Sequence, residues 1–294
     1  MLRFLAQGKI NWTLDIVGIR DDGYHLMDML MSTVELADEL ELIPAEELSL
    51  SVVSEKESLL TGESHENNLV WKAAQILQKT TGCRKGAAMR LHKRIPVGAG
   101  MGGGSADAAA ALRGLCRLWE LSVSEKQMAD MALSLGADVP FLLQGGLARV
   151  QGIGEKIQPL PFAKFCWLVL VQPCFGLSTP EIFRAFDASS QKGIFRPQTQ
   201  AAQAALLAGD FPALARAMGN VMEPVSLRKC PEMREALCAL EALGALRAMM
   251  TGSGSVVYGV FESKEKAQAA CASLRLRWEK TYLTRTAEKD SKGG

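Results

Sequence analysis

Pro96-Val97-Gly98-Ala99-Gly100-Met101-Gly102-Gly103-Gly104-Ser105-Ala106-Asp107-Ala108-Ala109-Ala110-Ala111-Leu112 decides how the rest of the chain is read. Five glycines fall within seven positions and run straight into an alanine-rich segment. There Leu112, Leu115, Cys116 and Trp119 recur at helical spacing, so one face of that helix seeks a core. Glycines let backbone N–H groups crowd a ligand, because no Cβ intervenes. A helix start adds unpaired N–H groups and partial positive charge. Together they predict an anion cradle suited to the phosphates of a nucleotide; a tight structural turn is the alternative. A Walker loop would end in Gly-Lys-Ser/Thr, and no lysine stands here. Gly98, Gly100 and Gly103 do fit G-x-G-x-x-G. However, Pro96 separates them from the preceding strand, and the acid expected about 20 residues on falls near Glu120, inside a helical pattern. A dinucleotide-binding fold is excluded on those grounds.

Composition narrows the function classes. The chain has 294 residues, room for one large or two modest domains, and a formal net charge of +1. Without a basic stripe or an acidic block, neither nucleic acid nor a solvating tail is indicated. No uninterrupted apolar run reaches the roughly 18 residues of a membrane helix. Seven scattered cysteines without a C-x-x-C pair predict reduced thiols in a cytoplasm-like compartment. Three separated histidines give no metal-site spacing. The first strand begins almost at once, so no leader peptide is expected.

Outward from the glycine stretch, Gln7–Ile16 alternates, with Ile10, Trp12, Leu14 and Ile16 on one face and Lys9, Asn11, Thr13 and Asp15 on the other. Lys9 and Asn11 therefore share a face, either solvated or acting together. Arg20-Asp21-Asp22-Gly23 is a turn signal that delivers Tyr24 and His25, as pocket wall or as ordinary surface. Strands follow at 39–43 and 48–53. Asn68 is the natural cap of a helix over 69–77. A strand over 88–95 ends at the glycines, with Lys93 and Arg94 near the nucleotide or solvating an edge. Ser124 caps a helix that Gly136 stops. Asp138 is a lone acid among Val139, Pro140, Phe141 and Leu142; burial there raises proton affinity and suits a base, or else it bonds nearby backbone N–H groups.

A hairpin, or a strand pair with loose ends, is expected over 145–155 and a doubly buried strand over 165–171. Thr179 reads as a helix cap with Pro180 in the first position. Residues 187–200 read as a mobile polar linker, helices dominate to about Leu243, and Met249–Ser255 forms a second glycine–serine loop. A strand over 256–261 follows, Ser263 opens a last helix, and Ala287–Gly294 reads as a disordered polar tail. A boundary is expected near 157–164, giving domains 1–160 and 161–294.

The glycine loop resembles the phosphate loop of the GHMP kinases. Five further blocks occur in order: Lys9-Ile10-Asn11, Arg20–His25, Lys93-Arg94-Ile95-Pro96, Leu135–Pro140 and Thr251–Gly254. They are similar to those of one branch, the 4-diphosphocytidyl-2-C-methyl-D-erythritol kinases of non-mevalonate isoprenoid synthesis. The Asp-Gly-Tyr-His and Gly-Ala-Asp-Val-Pro blocks narrow the resemblance to that branch.

The resemblance implies a fold that is part α/β and part α+β: a GHMP kinase N-terminal domain of the ribosomal S5 domain 2 type and a ferredoxin-like C-terminal domain, with the site between them. It implies ATP and Mg2+ as cofactors, with magnesium ligands unassigned. Asp138 would be the catalytic base and Lys9 its cationic partner. Asn11 would orient substrate, Tyr24 and Phe183 would stack on cytosine, His25 would read its edge and Thr179 would contact substrate. Pro96, Val97, Gly98, Ala99, Gly100, Met101, Gly102, Gly103, Gly104, Ser105 and Ala106 would wrap the triphosphate, with Asn68 and Lys93 at the adenosine. The partner would be a small cytidyl alcohol, with no nucleic acid and no membrane, the chain being a cytoplasmic monomer or weak homodimer.

Three positions depart from the pattern. Ala106 stands where a second serine is frequent, Cys174 replaces a usual glycine, and Asn220-Val221-Met222-Glu223 lacks a central acid. Homoserine and mevalonate kinases are rivals that lack the cytosine pocket. A metabolite-binding protein of the same fold without turnover is another, which the retained Lys9, Asp138 and glycine loop disfavour.

Overall fold

A computed structural model describes residues 1–54, 65–162, 164–189 and 195–289. Its spine is a pair of long antiparallel strands, β1 (Leu2–Ile19) and β2 (His25–Ala45). The Arg20–Gly23 turn joins them as the Asp-Gly pair predicts, with Gly23 at φ +87°. β3 (Leu48–Val53) and β4 (Gly86–His92) extend this sheet beside the second half of β2, and β5 (Leu147–Gly152) pairs with its first half. β6 (Lys156–Leu160) pairs with β5 in a hairpin whose second strand lies beyond the expected 145–155 span.

Helices α1 (Leu69–Thr81), α2 (Gly103–Trp119), α3 (Glu125–Leu135) and α4 (Val139–Gln144) belong to this half. The small residues of α2 let it lie against the sheet. Ala106 and Ala108 to Leu112 are buried, and a Cβ on Gly114 would come within 2.4 Å of Leu42 and 2.9 Å of Phe4. Ser124 caps α3 through a reciprocal capping box with Gln127.

The second sheet is built from β7 (Trp167–Val171), β9 (Arg247–Met250), β10 (Val257–Phe261) and β11 (Thr281–Arg285), in the order β11-β7-β10-β9 and antiparallel throughout. With α9 (Glu232–Ala242) and α10 (Lys264–Arg275) packed on it, this is the ferredoxin-like arrangement. Between β7 and α9 the chain forms α5 (Thr179–Asp187), α6 (Thr199–Ala208), α7 (Phe211–Ala217), the two-residue β8 (Gly219–Asn220) and α8 (Glu223–Lys229). The expected break at 160/161 falls between the sheets, yet β8 crosses back to pair in parallel with β1.

One hydrophobic cluster spans both sheets, joining Ile10, Trp12 and Leu30 to Leu168, Leu170 and Val260. At its centre the buried Tyr258 hydroxyl donates to the Asn11 carbonyl at 2.7 Å, and its ring meets Trp12 edge-on at 6.0 Å.

Several expectations change. The polar face of β1 is not solvated: Lys9, Asn11 and Thr13 are buried, because the strand is covered on both sides. The tail packs through Lys289: the Ala287 N–H donates to the Thr33 carbonyl at 2.8 Å, and Lys289 lies against Gly146. Residues 290–294 lie outside the described residues, as do 190–194 of the expected linker. The rest of 187–200 includes the end of α5, the start of α6 and an Arg196 ion pair with Asp15. Seven free thiols are not what forms: Cys174 and Cys230 are joined in a disulfide across 56 residues, and five cysteines stay free. Among the described residues, no helix is long and apolar enough to cross a membrane.

Candidate active site

The junction of the two sheets holds a cavity of about 1290 Å³. Ligand pockets commonly run to about 1,000 Å³, so this space suits two sizeable reactants. The glycine loop forms one wall. Gly102 sits at the start of α2 at φ +67° and supplies no side-chain cap, so the first N–H groups of the helix have no intrahelical partner. Gly103, Gly104 and Ser105 line the cavity there.

Not every glycine serves the ligand. A Cβ on Gly100, at φ +73°, would lie 2.1 Å from the Thr251 carbonyl oxygen, and one on Gly98 would lie 3.0 Å from the Gly176 Cα. Three backbone segments thus meet at contact distance: the glycine loop, the β7–α5 connection and the Thr251–Ser255 loop. Asn220 steadies the last of these by donating to the Met250 and Gly252 carbonyls at 3.2 and 2.8 Å.

Of the expected cradle residues, Pro96 to Gly100 and Gly102 to Ser105 line the cavity, whereas Met101 and Ala106 do not. Met101 is buried in the core, and its carbonyl accepts the Lys9 N–H at 2.9 Å. The Ala106 methyl packs inward on α2. Asn68 lines the cavity and caps α1, its side-chain oxygen accepting from Val70 N–H at 2.9 Å.

Lys93 is neither a solvated edge charge nor an unengaged cation. Its ammonium is buried between Asp38 and Asp107, the latter at 2.6 Å. Asp38 also accepts from the Arg94 and Ile95 backbone N–H groups, which fixes the chain reversal into Pro96. Burial opposes the charge on Lys93, but the two carboxylates outweigh it and raise the lysine pKa. Burial drives the Asp107 carboxyl up to about 8 against the opposing pull of Lys93. Neither Asp38 nor Asp107 stood out in the sequence; an Asp at the second position of the alanine run of α2 was the available signal for the second.

Against the glycine loop, where Lys9 packs on Gly102, Lys9 Nζ lies 3.7 Å from Asp138 Oδ2. The two come from β1 and from the residue preceding α4. Asp138 is not the buried acid expected: its side chain is 32% exposed, because Val139, Phe141 and Leu142 take the core-facing positions and leave it at the cavity. Lys9 is buried and donates to Asn11 Oδ1 at 2.8 Å. Asn11 is fully enclosed; the same oxygen accepts the Gly252 N–H at 3.1 Å, and its backbone N–H donates to Thr251 Oγ1 at 3.1 Å. It lines the cavity but is already committed to holding Lys9 against the second loop.

Beyond this pair stand Tyr24, His25, Thr179 and Phe183. Tyr24 is 60% exposed, with the Arg20 guanidinium over its ring at 5.6 Å. The His25 ring stacks on Phe183, centroids 4.7 Å apart at 24°. Thr179 is not the cap: Ser178 precedes the helix, Pro180 is its second residue, and Thr179 Oγ1 pairs with Ser253 Oγ at 2.8 Å. Asp187, which bonds His25, and Ser253 are further members that the sequence did not single out.

Comparison with known proteins agrees with this architecture. The family model of the GHMP kinases N terminal domain matches residues 68–146, and that of the GHMP kinases C terminal matches residues 202–280. A 4-diphosphocytidyl-2-C-methyl-D-erythritol kinase of Symbiobacterium thermophilum is 43% identical over 96% of this chain and 98% of its own length. One of Pelotomaculum thermopropionicum is also 43% identical, over 96% of each chain. A crystal structure of 4-(cytidine 5'-diphospho)-2C-methyl-D-erythritol kinase superposes with a TM-score of 0.81 at 31% identity, covering 97% of this chain and 99% of that one. Fold, cavity and relatives converge: the chain belongs to the 4-diphosphocytidyl-2-C-methyl-D-erythritol kinase family of the GHMP kinases.

Proposed function

We propose that this chain transfers the γ-phosphoryl group of ATP to the 2-hydroxyl of 4-diphosphocytidyl-2-C-methyl-D-erythritol, giving the 2-phosphate and ADP. The observation that carries the reading is one continuous cavity lined by the helix-start cradle, by the Lys9–Asp138 pair and by the His25–Phe183 stack. The triphosphate lies along Gly98–Ser105, where backbone N–H groups meet its charge. Asp138 accepts the hydroxyl proton as the oxygen attacks phosphorus, and ADP leaves. Lys9, held by Asn11, neutralises charge on the attacking oxygen and the γ-phosphate. Tyr24 and Phe183 hold the pyrimidine by stacking, an interaction worth roughly 1–3 kcal/mol per base.

Magnesium, when bound, would neutralise the charge that develops on the phosphates during transfer. Ser105 and Asp138, which line the cavity, would offer oxygens to a cation carried in on the triphosphate. The same reading takes the chain as a cytoplasmic monomer or weak homodimer, and size-exclusion chromatography tests the assembly state.

The deciding experiment is product analysis by phosphorus NMR after mixing the pure chain with ATP, magnesium and the cytidyl alcohol. A new phosphomonoester on the 2-oxygen is expected. Phosphorylation of homoserine or mevalonate instead, with the cytidyl alcohol untouched, would defeat the assignment.

A further inference from the structure

Asp187 is the last residue of α5 and stands one turn after Phe183, so the two project from one helix face. Both reach the same imidazole. Phe183 covers the face of the His25 ring, and Asp187 Oδ1 lies 2.7 Å from His25 Nε2. The stack sets the plane of the ring; the carboxylate sets its rotation within that plane. An ionised carboxylate only accepts hydrogen bonds, so Nε2 carries the hydrogen. In the neutral ring Nδ1 then keeps its lone pair. Among the described residues, nothing bonds that second nitrogen, and His25 lines the cavity.

We propose that Asp187 is a positioning residue that holds His25 as a hydrogen-bond acceptor at Nδ1, so that the pocket selects a pyrimidine carrying an exocyclic amine over one carrying a carbonyl at that position. Cytosine presents an amino donor there; the oxo-pyrimidines present an acceptor. A lone pair facing a lone pair leaves both groups unpaired on binding, which is how a polar site rejects a near-isostere. The proposal rests on the cytidyl reading above and adds to it the group that fixes the tautomer.

The test reads the imidazole and the ligand separately. Proton–nitrogen correlation spectra of the isotope-labelled chain, at about pH 8 where an ordinary histidine is neutral, report which ring nitrogen is protonated; His25→Gln assigns the signal against His65 and His92. The Nε2–H form is expected to dominate in the wild type and to give way to a mixture in Asp187→Ala. Calorimetric titration with CDP and UDP is expected to show a CDP preference that falls about tenfold in Asp187→Ala, the loss of roughly one hydrogen bond. Asp187→Asn, which still offers an accepting oxygen, is expected to retain most of it.

A wild-type Nδ1–H signal, equal binding of CDP and UDP by the wild type, or an unchanged preference in Asp187→Ala overturns the proposal. Failure of the wild type to phosphorylate the cytidyl alcohol would instead defeat the functional reading, and the wild-type spectrum would still decide the tautomer.

Discussion

Gly100→Ala is the substitution for which the fold makes its sharpest demand. The residue sits at φ +73°, where an L side chain costs about 1–2 kcal/mol. The new methyl would also stand 2.1 Å from the Thr251 carbonyl oxygen, and since Cβ contacts below 3.0 Å essentially do not occur, the two segments must part by about 0.9 Å. Overpacking of this kind costs roughly 1–3 kcal/mol, so the total loss of stability is about 2–5 kcal/mol.

The displacement does not stay local. Thr251 Oγ1 accepts from Asn11, the Gly252 N–H donates to Asn11 Oδ1, and that oxygen holds the Lys9 ammonium. A shift of about 1 Å in a catalytic group can cost on the order of a hundredfold, and that is the fall in kcat expected. Urea unfolding and steady-state kinetics measure the two effects. Gly104→Ala is the internal control for stability. Its Cβ would meet only Leu69 Cδ1 at 3.5 Å, in the first turn of a helix, so stability should hold or rise by roughly 0.5–1 kcal/mol. Equal destabilisation of the two variants, or a Gly100→Ala enzyme with unchanged midpoint and near-normal turnover, refutes the reasoning.

Asp138→Asn should lower the phosphoryl-transfer rate by about 10²–10⁴-fold while ADP affinity, followed by titration calorimetry, stays near that of the wild type; undiminished turnover would remove Asp138 from the chemistry. Reduction of the Cys174–Cys230 bond, which closes a loop across 56 residues, should lower unfolding free energy by about 4 kcal/mol at most on chain-entropy grounds. Urea midpoints with and without reductant measure this; Cys174→Ser should be indifferent to reductant, and equal wild-type midpoints would sink the prediction. Asp107, pushed by burial up to about 8 from 3.8, keeps a proton that the unfolded chain releases. Stability should therefore fall as pH rises between those values. Asp107→Asn, which cannot titrate, should lose less than the wild type over that window, and parallel stability–pH curves would contradict it.

Much of the scaffold is legible because local chemistry and global packing agree. The glycines followed by alanines can only be a close backbone approach and a helix that lies tight on a sheet, and α2 does both. Ser124 and Gly136 bound α3 where cap chemistry puts them. What stayed hidden depends on partners distant in sequence. The alternation of β1 correctly gave a strand but not its double burial, since nothing local announces that the glycine loop, the Thr251–Ser255 loop and Thr199 of α6 cover Lys9, Asn11 and Thr13. The polar faces of Thr281–Arg285 and the tail beyond it resemble surface, although they pack on β7 and on Thr33. Within the site, Lys9 and Asp138 became a pair through family resemblance rather than spacing. Lys93 could not be read as enclosed without Asp38, 55 residues away. The link from Asp187 to His25, across 162 residues, left no trace in either neighbourhood.

The mass of side chains around Trp12 and Tyr258 has a mechanical corollary. A crevice whose two banks rest on one continuous bed of hydrocarbon, stitched again by β8, has no seam along which to gape. Reactants and products must then pass by small rearrangements at the rim, around Tyr24 and the β7–α5 connection, rather than by a clam-shell swing of one half against the other.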